Sequence, residues 1–333
     1  MNNDEKNNEL SRRGFMGSSI ALAAIPLGLH AINQQAAAQQ QPPDGAEQLT
    51  HYQEAEQGGE QHGPHIWLRW NNAPLASYRA HHGQKYPYFY PLMGLVSGQS
   101  MTSETALPWP HHRSMYFSCD KVNGKNYWQQ GLEHGQVLST GPKVTEATST
   151  SAIIEDACEW RAPDMPLQMT DKRKYSIAID YPNKWIIDTE IEWKAEVDIT
   201  IERTNHALFS IRSAIDISTW GGGTLVSSEG DVGEEATFGK PARWCAFYGK
   251  RRQAKGEPVE GIALIDHPDN PWEPCPWFTR DYGMISPMPF QWLEEPWQLP
   301  AGESVKLKYL TVIFNGDPEE AGIDQISNSW IGT

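Results

Sequence analysis

The chain has 333 residues, 39% of them hydrophobic, and carries a formal net charge of −15 at pH 7. That length suffices for one large domain or two small ones with a substantial core. So acidic a balance offers no basic footprint, which excludes nucleic acid and anionic lipid surfaces as partners.

Ser11-Arg12-Arg13-Gly14-Phe15-Met16 is a twin-arginine export motif, followed by an apolar run from Ile20 to Leu29 and a cleavage-like Ala36-Ala37-Ala38. The apolar run is too short to span a bilayer and contains Pro26, and no run of about 20 apolar residues follows it, so the mature chain is expected to have no integral membrane span. Residues 1–38 therefore read as a signal peptide and the protein as periplasmic or otherwise exported by the twin-arginine route. Residues 39–63, rich in Gln, Glu and Gly without an apolar period, read as a flexible linker. His62 and His65 have the spacing of two helical ligands, but Gly63 and Pro64 between them oppose a helix.

Residues 64–333 read as a single domain of short alternating segments cut by turn signals. Ile66 to Trp70 opens the first strand, and Tyr86 to Met93, interrupted by two prolines, suggests an edge strand or extended arm. Tyr175–Asp180, Ile186–Ile201, Ala207–Ile217, Gly261–Ile265 and Val305–Phe314 are the other clear strands. Asn123-Gly124, Tyr181-Pro182-Asn183, Gly221-Gly222-Gly223 and Asn315-Gly316-Asp317 punctuate them. A helical period is visible only near Pro318 to Trp330. The pattern predicts an all-β fold, a large two-sheet β-sandwich. Four cysteines in an exported chain permit two disulfides or buried thiols, and no CxxC or clustered Cys/His spacing suggests structural zinc. The 14 tryptophans suit either carbohydrate stacking or a β-rich core.

Three constellations could carry chemistry. The first is His111, His112 and Arg113, with Asn123 and Trp128 close behind, then Glu133 and His134. Imidazoles move protons near neutral pH or bind metal, guanidinium grips oxyanions, and an indole face stacks on sugar rings. In a strand, adjacent histidines point to opposite faces, so only one of the pair is expected to reach a common pocket. Arg113 should favour the neutral imidazole. The second is Asp266-His267-Pro268-Asp269-Asn270-Pro271 with Trp277, Arg280 and Tyr282, at the end of a strand where sites gather; these residues also form turns readily. The third is the glycine run Gly221–Gly223 with Ser228-Glu229-Gly230, where Glu229 is a candidate carboxylate. It has no phosphate-loop ending, and no Gly-x-Ser-x-Gly elbow occurs in the chain.

At these places the chain resembles the DUF6807 family, which also goes under the name PmoA or methane oxygenase PmoA. The resemblance rests on Pro87 to Leu92, Pro110 to Phe117, Val122 to Trp128, Ser228 to Gly230, Gly239 to Trp244, Asp266 to Gly283 and Pro289 to Asp317, in order along the domain. Here Ser114-Met115-Tyr116 stands where the family shows Gly-Leu-Trp, and Trp109 where an acid commonly precedes the histidine pair. A literal methane oxygenase is excluded by the lack of spanning segments. The resemblance implies a fold similar to the β-supersandwich of aldose mutarotases, and a setting in carbohydrate catabolism.

The leading expectation is an exported carbohydrate-active enzyme working on a sugar or oxidised glycoside, as an epimerase, lyase, hydratase or hydrolase. Its catalytic candidates are His111, His112, Glu229 and His267. Its substrate-binding candidates are Arg113, Asn123, Trp128, Asn270, Trp277, Arg280 and Tyr282. The alternatives are a non-catalytic periplasmic sugar-binding module, or an enzyme using a divalent metal held by His111 or His112 with His267 and Glu229.

Overall fold

Buried and exposed side chains alternate along Ser151–Arg161, Met169–Asp180 and Lys184–Ala195, the period-two signature of strands with one face against a core. The computed structural model describes residues 47–54, 65–129 and 131–332. In chain order its strands are β1 (Leu49–Glu54), β2 (His65–Trp70), β3 (Ala73–Arg79), β4 (Tyr88–Leu92), β5 (Met115–Cys119), β6 (Gln136–Ser139), β7 (Lys143–Ala147), β8 (Ser151–Arg161), β9 (Met169–Asp180), β10 (Lys184–Ala195), β11 (Ile199–Ile201), β12 (Ala207–Arg212), β13 (Thr224–Ser227), β14 (Trp244–Lys250), β15 (Val259–Asp266), β16 (Trp277–Arg280), β17 (Met284–Pro287), β18 (Trp297–Leu299) and β19 (Ser304–Asn315). The helices are α1 (Glu234–Thr237) and α2 (Ile323–Ile331).

Two large sheets face each other, and all their pairings are antiparallel. One has eight strands in the order β1-β2-β3-β4-β5-β12-β17-β16; the other has nine, in the order β13-β14-β15-β19-β10-β9-β8-β6, with β7 also on β8. Aromatic rings from both inner faces interlock between them. Phe117 of β5 meets Trp160 of β8 at 5.9 Å and Trp193 of β10 at 5.6 Å, and Phe209 of β12 stacks on Tyr309 of β19 at 4.7 Å. The expected β-sandwich is therefore present, and Trp160, Trp185, Trp193 and Trp277 are fully buried in it. No helix among the described residues is long and apolar enough to cross a membrane.

The nine-stranded sheet turns its other face outward, and charge pairing keeps that face compatible with water. Glu190 of β10 lies between Lys174 of β9 and Lys308 of β19, and Glu192 lies between Lys172 and Lys306. Opposite charges directly across a ladder stabilise it modestly. A hollow of about 580 Å³ opens on this sheet, lined largely by these alternating charges.

Inside the sandwich sits a buried ion pair. Arg173 donates from Nε to Asp171 Oδ1 at 2.6 Å and from Nη2 to Oδ2 at 2.9 Å, and Trp160 Nε1 donates to Oδ2 at 2.7 Å. Burial works against the Arg173 charge, and Asp171 more than restores it. Beside the pair, Asp156 accepts from Tyr78 Oη and Ser139 Oγ, each at 2.7 Å.

Several expectations change. Leu49–Glu54, inside the segment read as linker, is a strand paired to β2. The remaining linker residues described begin at 47; His62 and the signal-peptide residues lie outside the described residues. Instead of being an edge, β4 lies inside its sheet between β3 and β5, but only Tyr88 and Phe89 pair with β5, so Pro91 is tolerated. The run Ile186–Ile201 breaks into β10 and β11, and Ala207–Ile217 stops as a strand at Arg212. All four cysteines are free and buried, and burial raises each thiol above its usual range.

Candidate functional site

The outward face of the eight-stranded sheet is where polar chemistry collects. Strand register places Tyr88 opposite Tyr116, Tyr116 opposite Ser210, Arg212 opposite Met284, and Met284 opposite Arg280. These residues alternate with Phe89, Met115, Ile211 and Ile285, which are buried toward the other sheet, so the row must point away from the sandwich. Loops then cover the row. Between them lies a cavity of about 210 Å³ bounded by Trp109, His111, His112, Trp128, His206, Arg280, Tyr282 and Met284, among others.

Both histidines of the 111–112 pair reach it. The expectation that only one would do so assumed a strand. In fact the segment is a turn: His112 N donates to Trp109 O at 3.1 Å, and Thr105 N to His112 O at 3.2 Å. Ser114, next in the chain but one, has φ 64°. The two rings meet edge-to-face at 4.5 Å. Tyr86 Oη donates to His111 O at 2.6 Å and fixes the turn from below. Trp128 enters on another loop, whose turn is tied by Asn126 Oδ1 accepting from Trp128 N at 2.9 Å and Gln129 N at 2.8 Å. Its ring lies 4.8 Å from Tyr116 and 5.8 Å from His206.

The imidazoles are neutral by environment. Burial, with His111, Arg212 and His206 adding to it, pushes His112 down to about 2. Burial, with His111 and Lys121, pushes His206 down to about 4. His111 is lowered as well, by burial first and Arg113 second. His111 Nε2, His112 Nδ1 and Trp128 Nε1 are buried and meet no hydrogen-bond partner among the described residues. Unsatisfied polar atoms gathered at one concavity are uncommon outside functional sites.

Of the sequence candidates, His111, His112, Trp128, Arg280 and Tyr282 line this cavity. Arg113 stands behind His111, 3.7 Å from Glu104, which also holds Arg79 at 3.1 Å and accepts from Tyr88 Oη. Arg280 donates to Glu234 Oε1 at 2.9 Å and lies over the Phe238 and Phe278 rings.

The others belong elsewhere. Asn123 and Gly124, at φ 49° and 73°, form the tight turn their sequence announces. The Asn123 side chain is taken up by Gln168, the Asp198 carbonyl and Thr200 N. Glu229 is exposed in the turn after β13, next to Ser228 Oγ at 2.9 Å. Trp277 is core, its Nε1 donating to Ala242 O at 2.7 Å. Asn270 clamps β19 by donating to Lys308 O and accepting from Lys308 N. His267 packs on Trp330 at 4.7 Å and accepts from Asp269 N. A metal site built from His111 or His112 with His267 and Glu229 is thus not assembled. Among the described residues no group of three or more His, Cys, Asp or Glu side chains has the spacing to hold a metal ion. In the glycine run, a Cβ on Gly221 or Gly223 would collide with the Ile215 or Ile217 carbonyl, so those glycines serve close backbone packing.

Sequence reasoning did not reach His206, Arg212, Glu104 or Trp109. The first two flank or lie on β12, nearly 100 residues from His111, and only the antiparallel pairing of β12 with β5 brings them in.

Asp266 offers a separate test. Burial pushes its carboxyl up to about 7, against the opposing hydrogen bond from Asn270. An unfolded carboxyl ionises near 3.8, so between there and about 7 the folded protein holds an extra proton. Stability should accordingly fall as pH rises through that window and level off above it. Asp266→Asn should flatten this slope in thermal unfolding at pH 4.5 and 7.5; an unchanged slope would assign the effect to another group.

No curated protein matches the chain. Residues 65–328, which include every cavity residue named above, match the family of unknown function DUF6807, and the chain belongs to that family.

Proposed function

We propose that the cavity binds a small carbohydrate, a sugar or oxidised glycoside, and that the protein is an exported enzyme acting on it by histidine acid–base chemistry. The observation that carries this reading is the convergence of three neutral imidazoles on one aromatic-walled cavity of about 210 Å³. A hollow of that size suits one small molecule, and Trp109, Trp128 and Tyr282 supply ring faces of the kind that stack on sugars.

His111 is the strongest candidate for the proton-transferring group. Its Nε2 has no hydrogen-bond partner among the described residues, its backbone is fixed by Tyr86, and its lowered pKa keeps it neutral and able to accept a proton. His112, with a value of about 2, stays neutral throughout and acts by hydrogen bonding. His206 has Asp120 Oδ2 4.0 Å from its Nδ1, behind the ring, and can take or return a second proton. A neutral imidazole that takes a proton from a carbon next to a carbonyl, and then returns it or passes it to a leaving group, suits epimerisation or elimination.

The test is a screen of monosaccharides and 3-keto-glycosides for binding by NMR saturation transfer and for product formation. Ligands that bind at this cavity and are converted uphold the reading. Sugar binding with no conversion, unchanged in a His111→Ala/His112→Ala variant, would instead make the protein a binding module.

A further inference from the structure

Among the described residues three arginines are at most 2% exposed: Arg173, Arg212 and Arg251. Two of them have acids. Arg173 is held by Asp171 at 2.6 Å, and Arg251 by Asp216 at 2.9 Å with Glu260 at 3.7 Å. Arg212 has none among the described residues. Its Nε and Nη1 meet no hydrogen-bond partner, and the Tyr282 ring, centred 4.3 Å from the guanidinium carbon, covers it. A buried cation without a counter-charge is costly, so proteins rarely keep one that serves nothing.

The place it occupies is specific. Tyr282, which covers it, His112, which feels its charge, and Met284, its partner in register, all line the cavity. Arg212 thus forms a charged layer beneath the cavity floor. The surroundings do not cancel it. Glu104 is shared by Arg79 and Arg113, and Glu234 is taken by Arg280. Asp120, on the His206 side, has its charge opposed by burial and balanced by the neighbouring Lys121. The chain as a whole carries −15, so a surplus of guanidinium directly behind the cavity wall is against the general trend. Buried as it is, such a charge is weakly screened and draws anions strongly.

We propose that the cavity's ligand is an anionic sugar, one bearing an oxyanion such as a carboxylate or a sulfate ester, with Arg212 as its counter-charge. This rests on the sugar-site reading and names the ligand class for it. The neutral imidazoles and Trp128 Nε1 then serve the hydroxyls, while Arg212 selects for negative charge.

Calorimetry on the full chain tests this with D-glucuronate, D-galacturonate and D-gluconate, with glucuronamide and glucose as neutral counterparts, and with glucose 6-sulfate and inorganic sulfate. At least one acid should bind roughly tenfold or more tightly than its neutral counterpart. The preference should vanish in Arg212→Gln and persist in Arg212→Lys, a pattern that a purely structural arginine would not produce. Tighter binding of the uronates or of glucose 6-sulfate identifies the oxyanion. Equal affinity for acid and amide overturns the proposal and leaves the sugar-site reading standing. Binding of inorganic sulfate, lost in Arg212→Gln, with none of the sugars bound overturns both the sugar-site reading and the anionic-sugar ligand. Binding of none of these compounds overturns both. If Arg212→Gln does not fold, the acid–amide comparison on the unaltered chain decides alone.

Discussion

If the proposed histidine chemistry holds, replacing His111 by alanine should lower turnover by about 10²- to 10⁴-fold, the usual contribution of a positioned acid or base. Binding should change far less, because Trp128, Tyr282 and Arg280 remain in the cavity wall. The loss should fall on kcat more than on KM, as expected when a group acts in the transition state rather than in ground-state binding. The pH profile gives an independent check. His111 is lowered from 6.5 by burial and then by Arg113, and a base works only when unprotonated. Activity should therefore be flat through neutral pH and fall only in acid, below the ordinary histidine range. His111→Gln, which keeps a polar group but cannot exchange a proton at neutral pH, should be about as inactive as the alanine variant. A variant with full kcat would remove His111 from the chemistry and pass the role to His206. Unaltered thermal stability is expected too, since the His111 Nε2 atom makes no hydrogen bond that the substitution could break.

How much of this could be seen in the sequence depends on how local each feature is. Strands β8, β9, β10 and β19 run 11 or 12 residues each, and over such lengths a two-residue alternation is plain. Short or proline-bearing strands hide it. β1 and β4 have six and five residues, and pairing with their neighbours, not their own pattern, makes them strands. The same distinction runs through the site. His111 and His112 stand out because they are adjacent in the chain. His206 and Arg212 carry no local motif and join the cavity only through the register of Ala207–Ile211 with Met115–Cys119. The misassigned residues show the converse. Asn123, Asn270 and Glu229 are the residue types that turns need as much as the types that bind sugars, and here their side chains are bound to backbone or lie in turns. His267, too, is engaged locally, by the amide two residues on.

The three buried arginines make the fold and the site parts of one argument. Where the charge is structural, the chain supplies its own carboxylate, and that arrangement can be measured. Asp171→Ala leaves Arg173 in the sandwich core with no ion-pair partner, and Trp160 Nε1 loses its acceptor in the same step. Breaking one side of a buried pair typically costs about 3–5 kcal/mol, a large share of the stability of an ordinary domain. Urea unfolding should show a loss of that order with little change in m-value, because the core packing around Phe117 and Trp193 stays in place. Removing both charges is a different matter. Asp171→Leu with Arg173→Met should recover most of the loss, since an apolar pair of similar volume spares the desolvation of two ions. A loss below about 1 kcal/mol for Asp171→Ala would mean that water or another carboxylate, Asp156 being the nearest on the adjacent strand, takes over the guanidinium. Arg212 is expected to behave in the opposite way in the empty protein: Arg212→Gln should cost little or even stabilise, because it removes a charge that has no acid to meet it among the described residues. A guanidinium whose removal leaves the fold unharmed and abolishes the preference for anions is held for its ligand, whereas one that unfolds the sandwich when its acid is cut away is held for the fold.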